Sequence, residues 1–437
     1  MRWNRWTRGW GALAAMLMAG TASAAAPQGD TLLVPARVWT AEGDAAHGGW
    51  AVLVHDGAIA AVGPESGIQA PAGTRRIALP GTTLTPGLVD LHSHLFLHPY
   101  NETLWNDQVL KEAQDYRTLE AAAHARATLL AGFTTLRDLG TEGAGFADVS
   151  VKRAIDEGMI PGPRLFVATR AIVATASYGP GPRGFRPDME LPGGAQEVSG
   201  TAAAMAAVRE QAARGADWIK IYGDYRVGPD GATAPTFTPE ELKALVDTAH
   251  QLGRPVAVHA ASEAGVRMAV EAGVDSVEHG YGTSEATFRL IKQRGVAYEP
   301  TLTAVEATAE YFEHYVPGQG EPTARMKEAE RAFRTALKLG VTIGNGSDVG
   351  VFAHGENWRE PANMVRDGMT PLQALHAATD VAARILRQQE RFGRIAPGLR
   401  ADLAAFEGDP SAHIDDLQHA VFVMKDGVVY RTPQAMP

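Results

Sequence analysis

Two histidines separated by one residue close an apolar run, TPGLVDLHSHL, at residues 85–95. Side chains alternate along a β-strand with a period of two, so His92 and His94 project together from the end of such a strand. Paired imidazoles suit a borderline divalent cation. Further runs of similar build also hold reactive residues. ADWIKIYGD holds Lys220, RPVAVHA carries His259, VDSVEHG carries His279 and GVTIGNGSD ends in Asp348. Standing side by side, these strands would bring four imidazoles, one amine and one carboxylate to one mouth.

The chain has no cysteine. That excludes disulfides and thiolate metal sites, and leaves nitrogen and oxygen ligands, for which zinc is the first choice and manganese, cobalt or iron are alternatives. Lys220 is informative because a free ammonium cannot ligate and repels a dication. Burial depresses a lysine pKa and frees the amine. A neutral amine can add carbon dioxide, and the carbamate offers two oxygens able to bridge two metals. A lone histidine at a strand end is more often structural than ligating. The joint pattern of six residues carries the weight.

The elements that must position these residues alternate. Eight strand-like runs, TPGLVDLHSH, GFTTLRDLG, PRLFVATRAIV, ADWIKIYGD, RPVAVHAAS, VDSVEHG, GVAYEPTL and GVTIGNGSD, are separated by helical stretches such as RTLEAAAHARATLLA and TPEELKALVDTAHQLG. The second of these helices opens on a Thr-x-x-Glu capping box. Residues 86–392 are therefore expected to form an α/β domain, a (β/α)8 TIM barrel with its reactive residues at the carboxyl ends of the strands. A doubly wound sheet is disfavoured, since no Gly-rich dinucleotide fingerprint follows the first strand. Residues 26–85 and 393–437 are short apolar runs broken by Asp56-Gly57 and Asp426-Gly427, which are hairpin signals. They are expected to pair into one small β-sandwich domain.

Residues 1–25 have the make-up of a signal peptide: Arg2, Arg5 and Arg8, then GALAAMLMAG, then Ala22-Ser23-Ala24. Export is the expectation, to a bacterial periplasm, with no membrane association once the leader is removed. Net charge is −10, and loss of the leader's arginines makes it three charges more negative. So acidic a chain lacks the basic face that nucleic acid requires.

Taken together, TPGLVDLHSHL, the Lys-His-His order on successive strands and GNGSD resemble the amidohydrolase superfamily. GFTTLRDLG, SDVGVFAHGENWRE and MTPLQALHAATDVAARIL are similar to its Xaa-Pro dipeptidase and imidazolonepropionase-related branch, some of whose members hydrolyse ochratoxin. The resemblance implies two divalent metal ions. His92 and His94 would bind one with Asp348, His259 and His279 the other, and Lys220, carboxylated by carbon dioxide, would bridge them. Water activated between them would be the nucleophile, and Asp348 the catalytic proton carrier. A homo-oligomer is also implied.

The expected substrates are small molecules with an amide bond: N-acyl amino acids, dipeptide-like compounds and ochratoxin-type amides. Deacetylation and cyclic-amide hydrolysis are alternatives on the same centre. A non-catalytic barrel scaffold would be expected to have lost ligands, and all six are present. For substrate contacts the candidates are Tyr178, Tyr225, Arg226 and His354, with Arg183 and Arg186 in the loop YGPGPRGFRPD. That loop departs from the family, having Ala176-Ser177-Tyr178 where a Gly-Gly-His stretch is expected. Tyr178 either polarises the substrate carbonyl in its place or packs the loop, and the segment from Val173 to Val198 is a candidate lid.

Overall fold

The computed structural model describes residues 29–433, so the expected leader lies outside the described residues. Both chain ends contribute to one eight-stranded sheet. Arg75–Pro86, from the N-terminal end, lies between Thr31–Val38 and Leu403–Glu407, pairing antiparallel with the latter from Thr82↔Glu407 to Pro86↔Leu403. The pairing joins all eight strands by hydrogen bonds, and their side chains Leu33, Val52, Leu84, Leu403 and Phe422 form one buried cluster. The two Asp-Gly hairpins have positive φ at Asp56, Gly57, Asp426 and Gly427, as a two-residue turn of this type requires. They also meet each other: a Cβ on Gly57 would lie 2.9 Å from the Asp426 carbonyl oxygen.

The middle of the chain has mixed α/β content. Its parallel strands form two arcs. One holds Leu88–Ser93, Phe133–Asp138 and Arg164–Val167. The other runs through Ile172–Ala174, Ile219–Tyr222, Val256–Ala260, Ser276–His279 and Ala297–Glu299, with Gln196–Val198 on its edge. Two expected strands take different forms. The third run breaks in two around Thr169, whose φ of 58° cannot continue a strand. The eighth, GVTIGNGSD, forms only an isolated bridge at Ile343, with another at Val349 just beyond it.

That eighth segment nevertheless connects the arcs. On one side the Tyr298 amide donates to the Thr342 carbonyl at 2.9 Å, and Gly344 donates to Tyr298 at 3.0 Å. On the other, Leu91 donates to Asn345 and Asp348 to His92, both at 2.8 Å. Glycine is needed here because the backbone runs against side chains. A Cβ on Gly344 would lie 2.5 Å from Leu91 Cδ1, and one on Gly346 would lie 3.1 Å from His92 Cβ. Helices cover the strands; Pro239–Gln251 starts on the expected capping box, with Thr238 and Glu241 bonding reciprocally.

Arg164 ties the middle of the chain to the end sheet. Its guanidinium donates to Asp402 at 2.8 Å and Asp426 at 2.9 Å, and the Asp426 amide donates to Asp402 at 2.7 Å. Asp402 is buried, so its charge depends on these partners. Arg164→Ala leaves it uncompensated and should destabilise the fold by about 3 kcal/mol, read as a lower urea midpoint. An unchanged midpoint would show that the tie contributes nothing.

Candidate active site

Asp90 joins the strand bearing the two histidines to the segment bearing Asp348. Its buried carboxylate accepts from the His92 amide at 3.1 Å, the Ser347 amide at 3.0 Å and Asn357 Nδ2 at 2.7 Å. Burial pushes this carboxyl up to about 6, against the pull of those donors. HSH and GSD are thereby held together. Asp348 Oδ1 lies 3.4 Å from His92 Nε2 and 3.3 Å from His94 Nε2. The three side chains each offer a ligand atom within 4.8 Å of the others. Asp348 itself takes a φ of 62°, a left-handed conformation of the kind that recurs at functional sites.

Three of the four imidazoles are oriented from behind. His92 Nδ1 pairs with Glu278 Oε2 at 2.9 Å, and Arg137 donates to the other oxygen of Glu278 at 2.8 Å. His94 Nδ1 bonds the Gly140 carbonyl at 3.1 Å. His279 Nδ1 bonds Thr301 Oγ1 at 2.8 Å. These contacts leave Nε2 of each ring free to ligate. Alternation along Ser276–His279 would send Glu278 and His279 to opposite faces. The φ of 74° at His279 turns the chain there, and both residues reach His92: its ring is 5.1 Å from that of His279. His259 packs 4.3 Å from His279 and stacks at 4.6 Å on Tyr222.

Lys220 is 1% exposed, and its Nζ has no hydrogen-bond partner. Burial lowers its pKa to about 8. Burial also holds His92 down, to about 4, with the Lys220 charge adding to the effect. His259 and His279 lie well below the usual imidazole range, again through burial first. His94 differs: burial lowers it, but the bond to and charge of Asp348 outweigh that and raise it to about 9. Asp348 is held far below the ordinary carboxyl range, its burial outweighed by His92 and His94.

These groups border a cavity of about 710 Å³. His92, His94, His259, His279 and Asp348 line it, as do Tyr178, Tyr225 and Arg226. His354 does not. Its Nε2 bonds the Leu97 carbonyl at 3.0 Å and its ring stacks 4.2 Å from His124, which corrects the expectation that it touches substrate. Arg183 and Arg186 are exposed and stand away from the cavity lining, Arg186 pairing with Asp188. Tyr178 reaches the cavity, but its hydroxyl donates to Glu142 Oε2 at 2.8 Å. A phenol committed in this way has no proton for a substrate carbonyl, so the expected polarising role does not fit the geometry. Asp90, Arg137, Glu142, Glu278 and Arg325 escaped the sequence reading. Asp90 and Glu278 each stand one or two residues before a marked histidine; nothing local singles out the other three.

The profile of the amidohydrolase family matches residues 83–432. The ochratoxinase of Aspergillus niger is 29% identical over 427 residues, covering 89% of this chain and 84% of that protein. Its crystal structure superposes with a TM-score of 0.78 at 28% identity, over 93% of this chain and 97% of that one. A crystal structure of a Xaa-Pro dipeptidase with methionine bound in its active site gives a TM-score of 0.82 at 31% identity, over 92% of this chain and 100% of that one.

Beneath the site, Glu299 is buried with neither carboxyl oxygen hydrogen-bonded, and its nearest cation, Arg137, is 3.9 Å away. Burial, with Glu278 close by, pushes its carboxyl well above the usual value of 4.5. The folded protein therefore keeps a proton here that the unfolded chain releases near pH 4.5. The contribution to stability is complete below that pH and is lost as pH rises toward the folded-state value. Glu299→Gln removes this term. Its urea midpoint should fall less than that of the wild type between pH 5 and pH 8, and equal slopes would contradict the assignment.

Proposed function

We propose, from the premise that this chain belongs to the amidohydrolase family, that it is a binuclear metal-dependent hydrolase of amide bonds in small N-acyl amino acids and dipeptide-like compounds, ochratoxin-type amides among them. One observation carries the reading. His92, His94 and Asp348 converge within ligating distance of one another, beside a buried lysine whose amine has no partner. Such an amine is costly to bury and gains a role only if it reacts or ligates. The donor set fits a divalent cation. His92, His94 and Asp348 would hold one ion, His259 and His279 a second, and Lys220, as its carbamate, both; zinc suits these nitrogen and oxygen donors. When bound, such ions supply Lewis acidity toward a carbonyl and lower the pKa of water.

The chain's own residues do the rest. Asp348 is placed to take the proton of the attacking water on its carboxylate and return it to the departing amine nitrogen. Glu278 and Thr301 fix the tautomers of His92 and His279, keeping Nε2 of each toward the centre. At the rim, Arg226 and Arg325 line the cavity and offer guanidinium donors for the carboxylate of an amino-acid leaving group. The architecture that accommodates this is a (β/α)8 barrel over residues 86–392. The hydrogen bonds of the 342–349 segment to both neighbouring strands support its closure. Among the described residues no helix is long and apolar enough to cross a membrane. Export by the arginine-containing leader belongs to the same reading.

The decisive experiment loads the purified protein with zinc and measures kcat/KM on N-acyl amino acids, Xaa-Pro dipeptides and ochratoxin A. Hydrolysis of at least one class is expected, with activity lost to a chelator and restored by zinc. Activity indifferent to chelation, or less than about one metal per chain, refutes the binuclear reading. Lys220→Ala should lower kcat/KM by at least about 100-fold and reduce bound metal, with partial rescue by short carboxylic acids. Wild-type activity in that variant refutes the bridge.

A further inference from the structure

Glu142 enters neither the ligand set nor the proton transfer, yet its carboxylate borders the same cavity and is 1% exposed. The loop that carries it is held in place by Arg117, which donates to the Glu142 backbone carbonyl at 2.7 Å and to Phe96 at 3.0 Å. Glu142 itself has a φ of 48°, which turns its side chain out of the strand direction.

Three donors converge on that carboxylate. Trp105 Nε1 and the Tyr178 hydroxyl reach Oε2 at 3.0 and 2.8 Å, and the Tyr222 hydroxyl reaches Oε1 at 3.3 Å. The two phenol oxygens are 3.1 Å apart. Each phenol has one proton, and in every arrangement of these bonds both protons stay within the group. If Tyr178 donates to Glu142, Tyr222 donates to Tyr178 or to Glu142; if Tyr178 donates to Tyr222, Tyr222 donates to Glu142. The group therefore offers the cavity a negative charge and acceptor lone pairs, and no donor.

Among the described residues, the only ion-pairing side chain within 4 Å of this carboxylate is His94, at 3.9 Å, whose Nδ1 is already bonded to Gly140. The surrounding wall is aromatic. The rings of Tyr178 and Tyr222 are 4.4 Å apart, and those of Tyr178 and Tyr225 5.0 Å. A buried carboxylate with no ion pair closer than 3.9 Å, acceptor oxygens and tyrosine rings together suit a protonated amine.

We propose that Glu142, with Tyr178 and Tyr222, forms a subsite for an ammonium group on the acyl half of the substrate. It rests on the amidase reading above. With Arg226 and Arg325 at the rim, the cavity is then bipolar, matching a dipeptide with both termini free. A capped N-acyl amino acid brings no positive charge to Glu142.

The test compares Ala-Phe with N-acetyl-Ala-Phe on the zinc-loaded enzyme. Wild type should prefer the free dipeptide by at least about 10-fold in kcat/KM. Glu142→Gln should shrink that ratio at least fivefold, mainly by raising KM for Ala-Phe. A wild type that cleaves the capped compound equally well or better overturns the proposal. So does a Glu142→Gln protein that loses activity equally on both, which would assign Glu142 to the scaffold or the metal centre. If that variant does not fold, the wild-type ratio decides alone. If neither compound is cleaved, calorimetric titration still reads the subsite: tighter binding of Ala-Phe than of its acetylated form supports it, and equal binding overturns it.

Discussion

A lysine amine held away from water without a hydrogen-bond partner is the constraint around which the mouth of this protein is built. An ammonium in that place would face four imidazoles and a second buried cation, Arg137, in surroundings that penalise charge. Its environment is nevertheless balanced, because Glu278 and Asp348 lie close enough to raise its pKa while burial lowers it. The amine thus gives up its proton more readily than a free lysine without being forced into the neutral form. The imidazoles of His92, His259 and His279 are pushed toward the unprotonated state by the same burial and by the Lys220 charge. Unprotonated nitrogen is the state in which these rings can ligate.

Positions in the site depend on a chain of buried ionic hydrogen bonds. Arg137 holds Glu278, Glu278 holds His92, and Asp90 holds the His92 backbone against Ser347 and Asn357. Each member would be costly alone, and each is satisfied by its neighbour. Glu299 is the exception, and its protonated form resolves the conflict. The network works as a rigid frame because glycines at 344 and 346 let the Asp348 segment lie directly against Leu91 and His92.

Substrate selection belongs to a different layer. The wall combines Tyr178 from the segment after Ile172–Ala174, Tyr222 at the end of Ile219–Tyr222 and Tyr225 in the hairpin strand Asp224–Arg226, and the rim arginines come from that hairpin and the helix Ala324–Leu339. Of these residues, Tyr222 also touches the ligand set, sharing a strand with Lys220 and stacking on His259.

By itself the sequence marked the ligand candidates, the strand-end positions of His92, His94 and His279 and the pairing of the chain ends, because these follow from local signals. A period of two places His92 beside His94, and apolar runs, capping residues and Asp-Gly turns mark the elements. It misplaced His354, whose chain neighbours lie close to Asp348 but whose ring turns toward Leu97 and His124. It also gave Tyr178 a free proton for the substrate, although that hydroxyl already donates to Glu142. Only the tertiary structure could decide such things. Glu142 and Tyr222 are 80 residues apart in the chain, and Arg137 and Glu278 are 141 apart. Which donor meets which acceptor across those separations is set by how strands and loops pack, and no local pattern of residues records it.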